Sequence, residues 1–168
     1  YLKGERGGSA FLTDCVFEGN ISVQGGGGAG RANRMSLANC SFFGNTADQG
    51  GAIDGGSEIS ACMFSGNQAI IGGAIHASQL NMRDSTFSEN SATSDGGAVF
   101  VANEGRVSNS VFTSNVAGGN GGAIHASRWI ELTSSLFSYN VADGHGGAVS
   151  KGFRGSIEDS VFEHNVAG

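Results

Sequence analysis

The sequence predicts an all-β protein, a right-handed parallel β-helix (β-solenoid) of about seven coils of 22–25 residues, on three observations. First, a phenylalanine is followed three residues later by asparagine seven times: Phe17/Asn20, Phe42/Asn45, Phe64/Asn67, Phe87/Asn90, Phe112/Asn115, Phe137/Asn140 and Phe162/Asn165. Second, the step from one Phe to the next runs 25, 22, 23, 25, 25 and 25 residues, so one period fills the chain. Third, a Gly-Gly-Ala segment stands between copies, at 27–29, 50–52, 72–74, 96–98, 121–123 and 146–148.

Alignment on the motif Phe gives each position of the coil a reason. Five residues before it runs an aliphatic column: Leu12, Leu37, Ile59, Met82, Val107, Leu132 and Ile157. Five residues after it runs a small column: Ser22, Ala47, Ala69, Ala92, Ala117, Ala142 and Ala167. Short β-branched pieces broken by Gly, Asn, Asp and Ser favour strands and turns. No segment keeps apolar residues at helical spacing. Each repeat therefore reads as about three short strands wound once round, with equivalent positions stacked about 4.8 Å apart on the next coil. Seven such coils make a rod roughly 30–35 Å long.

Stacking explains the choice of residue types. Phe upon Phe forms an interior aromatic ladder. Asn upon Asn exchanges amide hydrogen bonds, and Asn tolerates the left-handed backbone of a sharp turn. Paired glycines permit positive φ or a close backbone approach. Three large apolar side chains per coil, worth roughly 1.5–3 kcal/mol each, cannot order a coil alone, so neighbours must supply its stability. The column three residues before the Phe (Asp14, Asn39, Ala61, Asp84, Asn109, Ser134, Asp159) never places two acidic residues on adjacent coils, which fits stacking because like charges directly opposite are destabilising.

Composition narrows the function. The chain has 168 residues, 30 glycines and no proline, which excludes collagen, and it reads as one domain over 1–168. It opens on Tyr1 and reads as a segment of a longer protein. Nine scattered Lys and Arg residues and a net charge of −6 argue against nucleic-acid partners. No run of 18 apolar residues exists, so no membrane insertion is expected of this segment. Cys15, Cys40 and Cys62 each stand two residues before the motif Phe, where later coils hold Ser85, Ser110, Ser135 and Ser160. They read as small buried hydrophobes, without the close pairs a zinc site needs.

Candidate chemistry is sparse. His76 and His125 share a slot whose column reads Asp54, His76, Phe100, His125, Ser150, and such variety predicts outward surface decoration. His145 and His164 fall in turns. Asp48, Asp95 and Asp143 precede the glycines at different offsets, and no column supplies the carboxyl pair of a glycosidase. Thr13, Thr46, Thr86, Thr93, Thr113 and Thr133 share no long column, which disfavours ice binding. Trp129, Tyr139, Phe43 and Phe100 are expected at the surface without lining one face. Of two sequons, Asn20-Ile21-Ser22 and Asn39-Cys40-Ser41, the second is the better glycosylation candidate.

The alternation of Gly-Gly-Ala-Ile/Val with Phe-x-x-Asn, from Phe-Glu-Gly-Asn at 17–20 to Phe-Glu-His-Asn at 162–165, resembles the repeats of chlamydial polymorphic membrane proteins. That resemblance implies a β-helical passenger region of the autotransporter kind, displayed outside the cell for adhesion or surface structure. It carries over no catalytic residues, because the motif is a folding motif. The expectation is a non-enzymatic extracellular or cell-surface module, a rigid rod or filament without cofactor or metal. Its partners would be other copies or flanking coils end to end, and host or matrix surface molecules. The alternative is a carbohydrate-binding or carbohydrate-active β-helix.

Overall fold

The computed structural model describes residues 2–3 (backbone only), 8–152 and 154–168. Among them the chain is all strand and turn, a parallel β-solenoid of about six turns against the seven expected. Each turn contributes to three sheets. The longest sheet has 10 strands and includes Gly30–Ala38, Ile53–Ser60, Ile75–Arg83 and Val99–Ser108. A 7-stranded sheet holds the motif phenylalanines, from Val16–Glu18 to Val161–Glu163. A 5-stranded sheet holds the small column, from Gln68–Ala69 to Val166–Ala167. Every pairing is parallel and joins equivalent positions, Phe64 to Phe87 to Phe112 for example.

The core follows from alternation along these strands. Phe42, Phe64, Phe87, Phe112 and Phe137 are fully buried, and Leu37, Ile59, Met82, Val107 and Leu132 pack beside them. In the last coil the same columns are open: Ile157 is 44% and Phe162 41% exposed, because nothing covers them from one side. Burial here depends on the neighbouring coil, as a solenoid requires.

Three left-handed corners close each turn. The first is the column Asp14, Asn39, Ala61, Asp84, Asn109, Ser134, Asp159, all with φ between 48° and 55°. The sequence suggested only charge spacing there; the backbone shows why Asp and Asn predominate, since they tolerate this region best. The second corner is the residue just before the motif Asn: Gly19, Gly44, Gly66, then Glu89, Ser114, Tyr139 and His164. The expectation that the motif asparagine itself takes the left-handed backbone is therefore corrected. None of Asn20, Asn45, Asn67, Asn90, Asn115, Asn140 and Asn165 has a positive φ. The residue before each one makes the turn, which leaves the amide free to lie along the stack. The third corner is the first glycine of each pair, such as Gly50 at φ 55°. The second glycine has a different reason: a Cβ on Gly51 would stand 2.2 Å from the Gly73 carbonyl oxygen.

The slipping period has two locations, the turn before the glycines, where Asn67 to Gly72 is one residue shorter than Asn90 to Gly96, and the bend of the long strands. The long strands bend, and the bend absorbs insertions: one residue separates Asp54 from Gly56, two separate His76 from Gln79, and three separate Phe100 from Glu104. Register shifts between Arg31 and Arg34, Asp54 and Ser57, and Val101 and Glu104 mark the bend.

Candidate functional site

The repeated motifs are consumed by the interior. Seven Phe rings stack in one file, with neighbouring centroids 4.6–5.1 Å apart and planes within 10° of parallel. That spacing exceeds the 3.5–4.0 Å of carbon–carbon contact, so the rings are slipped rather than superposed. Beside them the asparagines form a continuous amide ladder. Asn67 donates from its backbone N–H (3.0 Å) and its Nδ2 (2.9 Å) to Asn90 Oδ1. Asn90 Nδ2 in turn donates to Asn115 Oδ1 at 3.0 Å and to the Phe64 carbonyl at 3.1 Å. Both amide protons and both lone pairs are used, so the hydrogen bonds offset the cost of taking the amide out of water.

The same pattern runs on to the last coil and weakens there. Asn140 is fully buried, and both its backbone N–H and its Nδ2 donate to Asn165 Oδ1 at 2.9 Å. Its Nδ2 also reaches the Phe112 carbonyl at 3.0 Å. Asn165 is only half-buried: its Nδ2 donates to the Phe137 carbonyl at 2.8 Å, but its Oδ1 meets no donor beyond Asn140 among the described residues. The seven asparagines are thus one ladder with unequal rungs, Asn20 and Asn165 at its edges and five buried amides between them.

Cys40 and Cys62 lie in the core as expected of small buried residues, whereas Cys15 is only partly buried, and their column is in addition a second polar ladder. The Cys62 backbone N–H donates to Ser85 Oγ at 3.1 Å, Ser85 N–H to Ser110 Oγ at 3.2 Å, and Ser135 N–H to Ser160 Oγ at 3.1 Å. Each hydroxyl donates back to the carbonyl two residues earlier, as Ser85 does to Arg83 at 2.8 Å. Cys40 and Cys62 take the same part with sulfur: Cys40 N–H meets Cys62 Sγ at 3.4 Å. Burial outweighs these bonds in its effect on the thiols, raising Cys40 and pushing Cys62 up to about 11. Both stay protonated and unreactive at neutral pH.

The histidine slot also departs from expectation. Arg31, Asp54, His76, Phe100, His125 and Ser150 do stack in register. They are not a loose surface decoration: the turn at Gly26 covers Asp54, and His76, Phe100, His125 and Ser150 are half-buried. Asp54 is 6% exposed; its carboxylate lies over Gly26, where a Cβ would overlap it. It accepts from Arg31 Nε at 3.0 Å and pairs with His76 Nδ1 at 2.8 Å. His76 stacks on Phe100 at 5.4 Å, and Phe100 on His125 at 5.2 Å. Burial lowers the His125 pKa, with Asp95 opposing in part, and its buried Nδ1 has no partner among the described residues.

The other candidates scatter. Asp48 accepts the Gly25 N–H at 3.2 Å, and Asp95 accepts the backbone N–H and Nδ2 of Asn120 at 2.7 and 3.0 Å, so both tie turns. Asp143 is exposed, and His164 stacks on Tyr139 at 4.8 Å. Of the aromatics expected outside, only Tyr139 is exposed; Phe43, Phe100 and Trp129 are half-buried. Arg106 lies over the Trp129 ring at 4.8 Å. Asn20 is tied to Asn45 Oδ1 at 2.8 Å, whereas Asn39 stands exposed at its corner. Among the described residues no three His, Cys, Asp or Glu side chains converge as a metal site.

One concave feature was missed by column-by-column reading. Where the long sheet bends, outward residues of its two limbs face each other across a groove of about 1390 Å³. Arg31, Asp54 and His76 form one wall; Arg34, Gln79 and Asn81 belong to the other. Gly55 and Gly56 lie between them and lack side chains to fill the space. No single column holds these residues, so only the bend reveals their convergence.

Fold and ladders together define a β-solenoid whose repeated motifs are structural. The Chlamydia polymorphic membrane protein (Chlamydia_PMP) repeat matches the chain four times, at residues 39–56, 61–78, 84–102 and 109–127, so the chain carries at least four copies of that repeat. None of the curated proteins and none of the solved structures compared matches the chain.

Proposed function

We propose that this chain is a non-enzymatic structural and adhesive module of the cell surface, a rigid rod that holds ligand-contacting side chains away from the membrane. The observation behind this reading is the fate of the motif residues: every Phe of the repeat faces a copy of itself on the next coil, and the asparagines beside them do the same. Such a sequence is selected for stacking, and stacking produces a stiff, extensible scaffold. The polymorphic membrane protein repeat supports placement at the outer surface. Outward positions remain free to vary, which suits adhesion to host or matrix molecules and end-to-end contact with further coils.

The test uses the chain immobilised on beads and offered to cell or matrix surfaces, alongside measurement of reducing ends and unsaturated products over a polysaccharide panel. Retention of beads without product formation is the expected result. Turnover of any polysaccharide would replace the adhesive reading with an enzymatic one. A second reading, carbohydrate recognition, is favoured specifically by the groove at the bend.

A further inference from the structure

In the groove, polar side chains from several coils converge without being consumed by a ladder. Its lining runs from Ser9 to Arg106, five coils, or roughly 20 Å along the axis at the spacing of parallel strands. Gln79, Asn81, Arg34 and Glu58 offer planar amide, guanidinium and carboxylate groups, each able to engage two adjacent hydroxyls at once. None of these four has a side-chain hydrogen bond or ion pair among the described residues, so their capacity is free for a ligand. Phe11, 80% exposed at one end, presents a ring on which the apolar face of a sugar can lie.

Charge decides between kinds of occupant. Three guanidinium groups, Arg31, Arg34 and Arg106, are matched in the lining by three carboxylates, Asp54, Glu58 and Glu104. The whole chain carries −6. A polyanionic chain therefore gains nothing in the groove and is repelled by the rest of the molecule. Peptide strand addition is also disfavoured along most of the groove, because four of its five floor strands are paired with a neighbour on both sides; among the described residues only Ser9–Thr13, at the Phe11 end, exposes an edge.

We infer that this groove binds an extended neutral glycan, about four sugar rings lying along the solenoid axis, one ring to each coil spacing of ~4.8 Å. The inference deepens the adhesive reading by naming its ligand class. The experiment offers the chain to a printed array of neutral and acidic oligosaccharides of four or more units, together with extended peptides. Affinity for the best-retained neutral probe is then measured by titration. Neutral chains are retained, and Gln79→Ala combined with Asn81→Ala weakens binding at least tenfold. Met63→Ala, on the phenylalanine sheet, leaves it unchanged. Retention of acidic glycans or peptides in preference, of nothing at all, or of neutral glycans with no loss in the double variant overturns the proposal. Circular dichroism of each variant confirms the β fold. A failed array leaves bead adhesion to cells intact as a separate readout, so the two readings fail separately.

Discussion

Glycine positions show how narrowly the backbone constrains individual residues. Gly44 has φ 58° with nothing within 4 Å of a would-be Cβ, whereas Gly51 meets a neighbouring backbone oxygen. Gly44→Ala therefore costs only its conformational strain, about 1 kcal/mol, while Gly51→Ala forces two coils apart and costs about 3 kcal/mol or more. Denaturant unfolding of the two variants measures the difference. The chain already tolerates the milder penalty, since Glu89, Ser114, Tyr139 and His164 occupy the Gly44 corner in later coils. His125 gives the second residue-scale prediction. Its folded pKa is lowered, so above 6.5 neither folded nor unfolded chain is protonated there and stability is unaffected. As pH falls below 6.5 the unfolded chain takes up a proton first, and stability is lost. His125→Phe, which keeps a ring against Phe100, removes this part of the acid loss, as thermal unfolding across pH 7 to 5 should show.

Ladders are the element on which stability rests, and their strength depends on position. Asn90→Ala removes four hydrogen bonds and leaves Asn67 N–H and Asn115 Oδ1 short of partners in the interior. At roughly 1–3 kcal/mol for each group left unsatisfied, the loss is about 3–5 kcal/mol. Asn20 stands at the edge of the stack, half-buried, and Asn20→Ala loses far less, about 1 kcal/mol. Chemical denaturation of both variants checks the gradient.

What the sequence disclosed at this scale follows from the periodicity. Columns of identical residues, Phe and Asn above all, announced themselves because repetition is visible in one dimension. Repetition did not say which residue makes the turn, and the corner fell one place before the asparagine. Columns defined by a shared conformation were harder: Asp14, Asn39 and Ala61 have little in common except a left-handed backbone. The serine and cysteine column was seen as small, but its hydrogen bonds depend on which way an N–H of the neighbouring coil points. The Asp54–His76 pair and the groove were hidden because both depend on how far the long strands bend.

At the scale of the whole molecule, the solenoid separates two tasks. The interior repeats and is bound by stacking; the exterior of the long sheet varies from coil to coil and carries the groove proposed above as a ligand site. Insertions confined to the bend and to the turn before the glycines leave the ladders in register, so groove shape can change while the scaffold persists. This division rests on the stacking of equivalent side chains, and aromatic NOE spectroscopy with labelled phenylalanine tests it most directly. Strong ring–ring contacts should connect Phe17, Phe42, Phe64, Phe87, Phe112, Phe137 and Phe162 in that order, each to its immediate neighbours alone. Contacts that skip a coil, such as Phe64 to Phe112, or rings showing only solvent exchange and no mutual contact, would contradict the account.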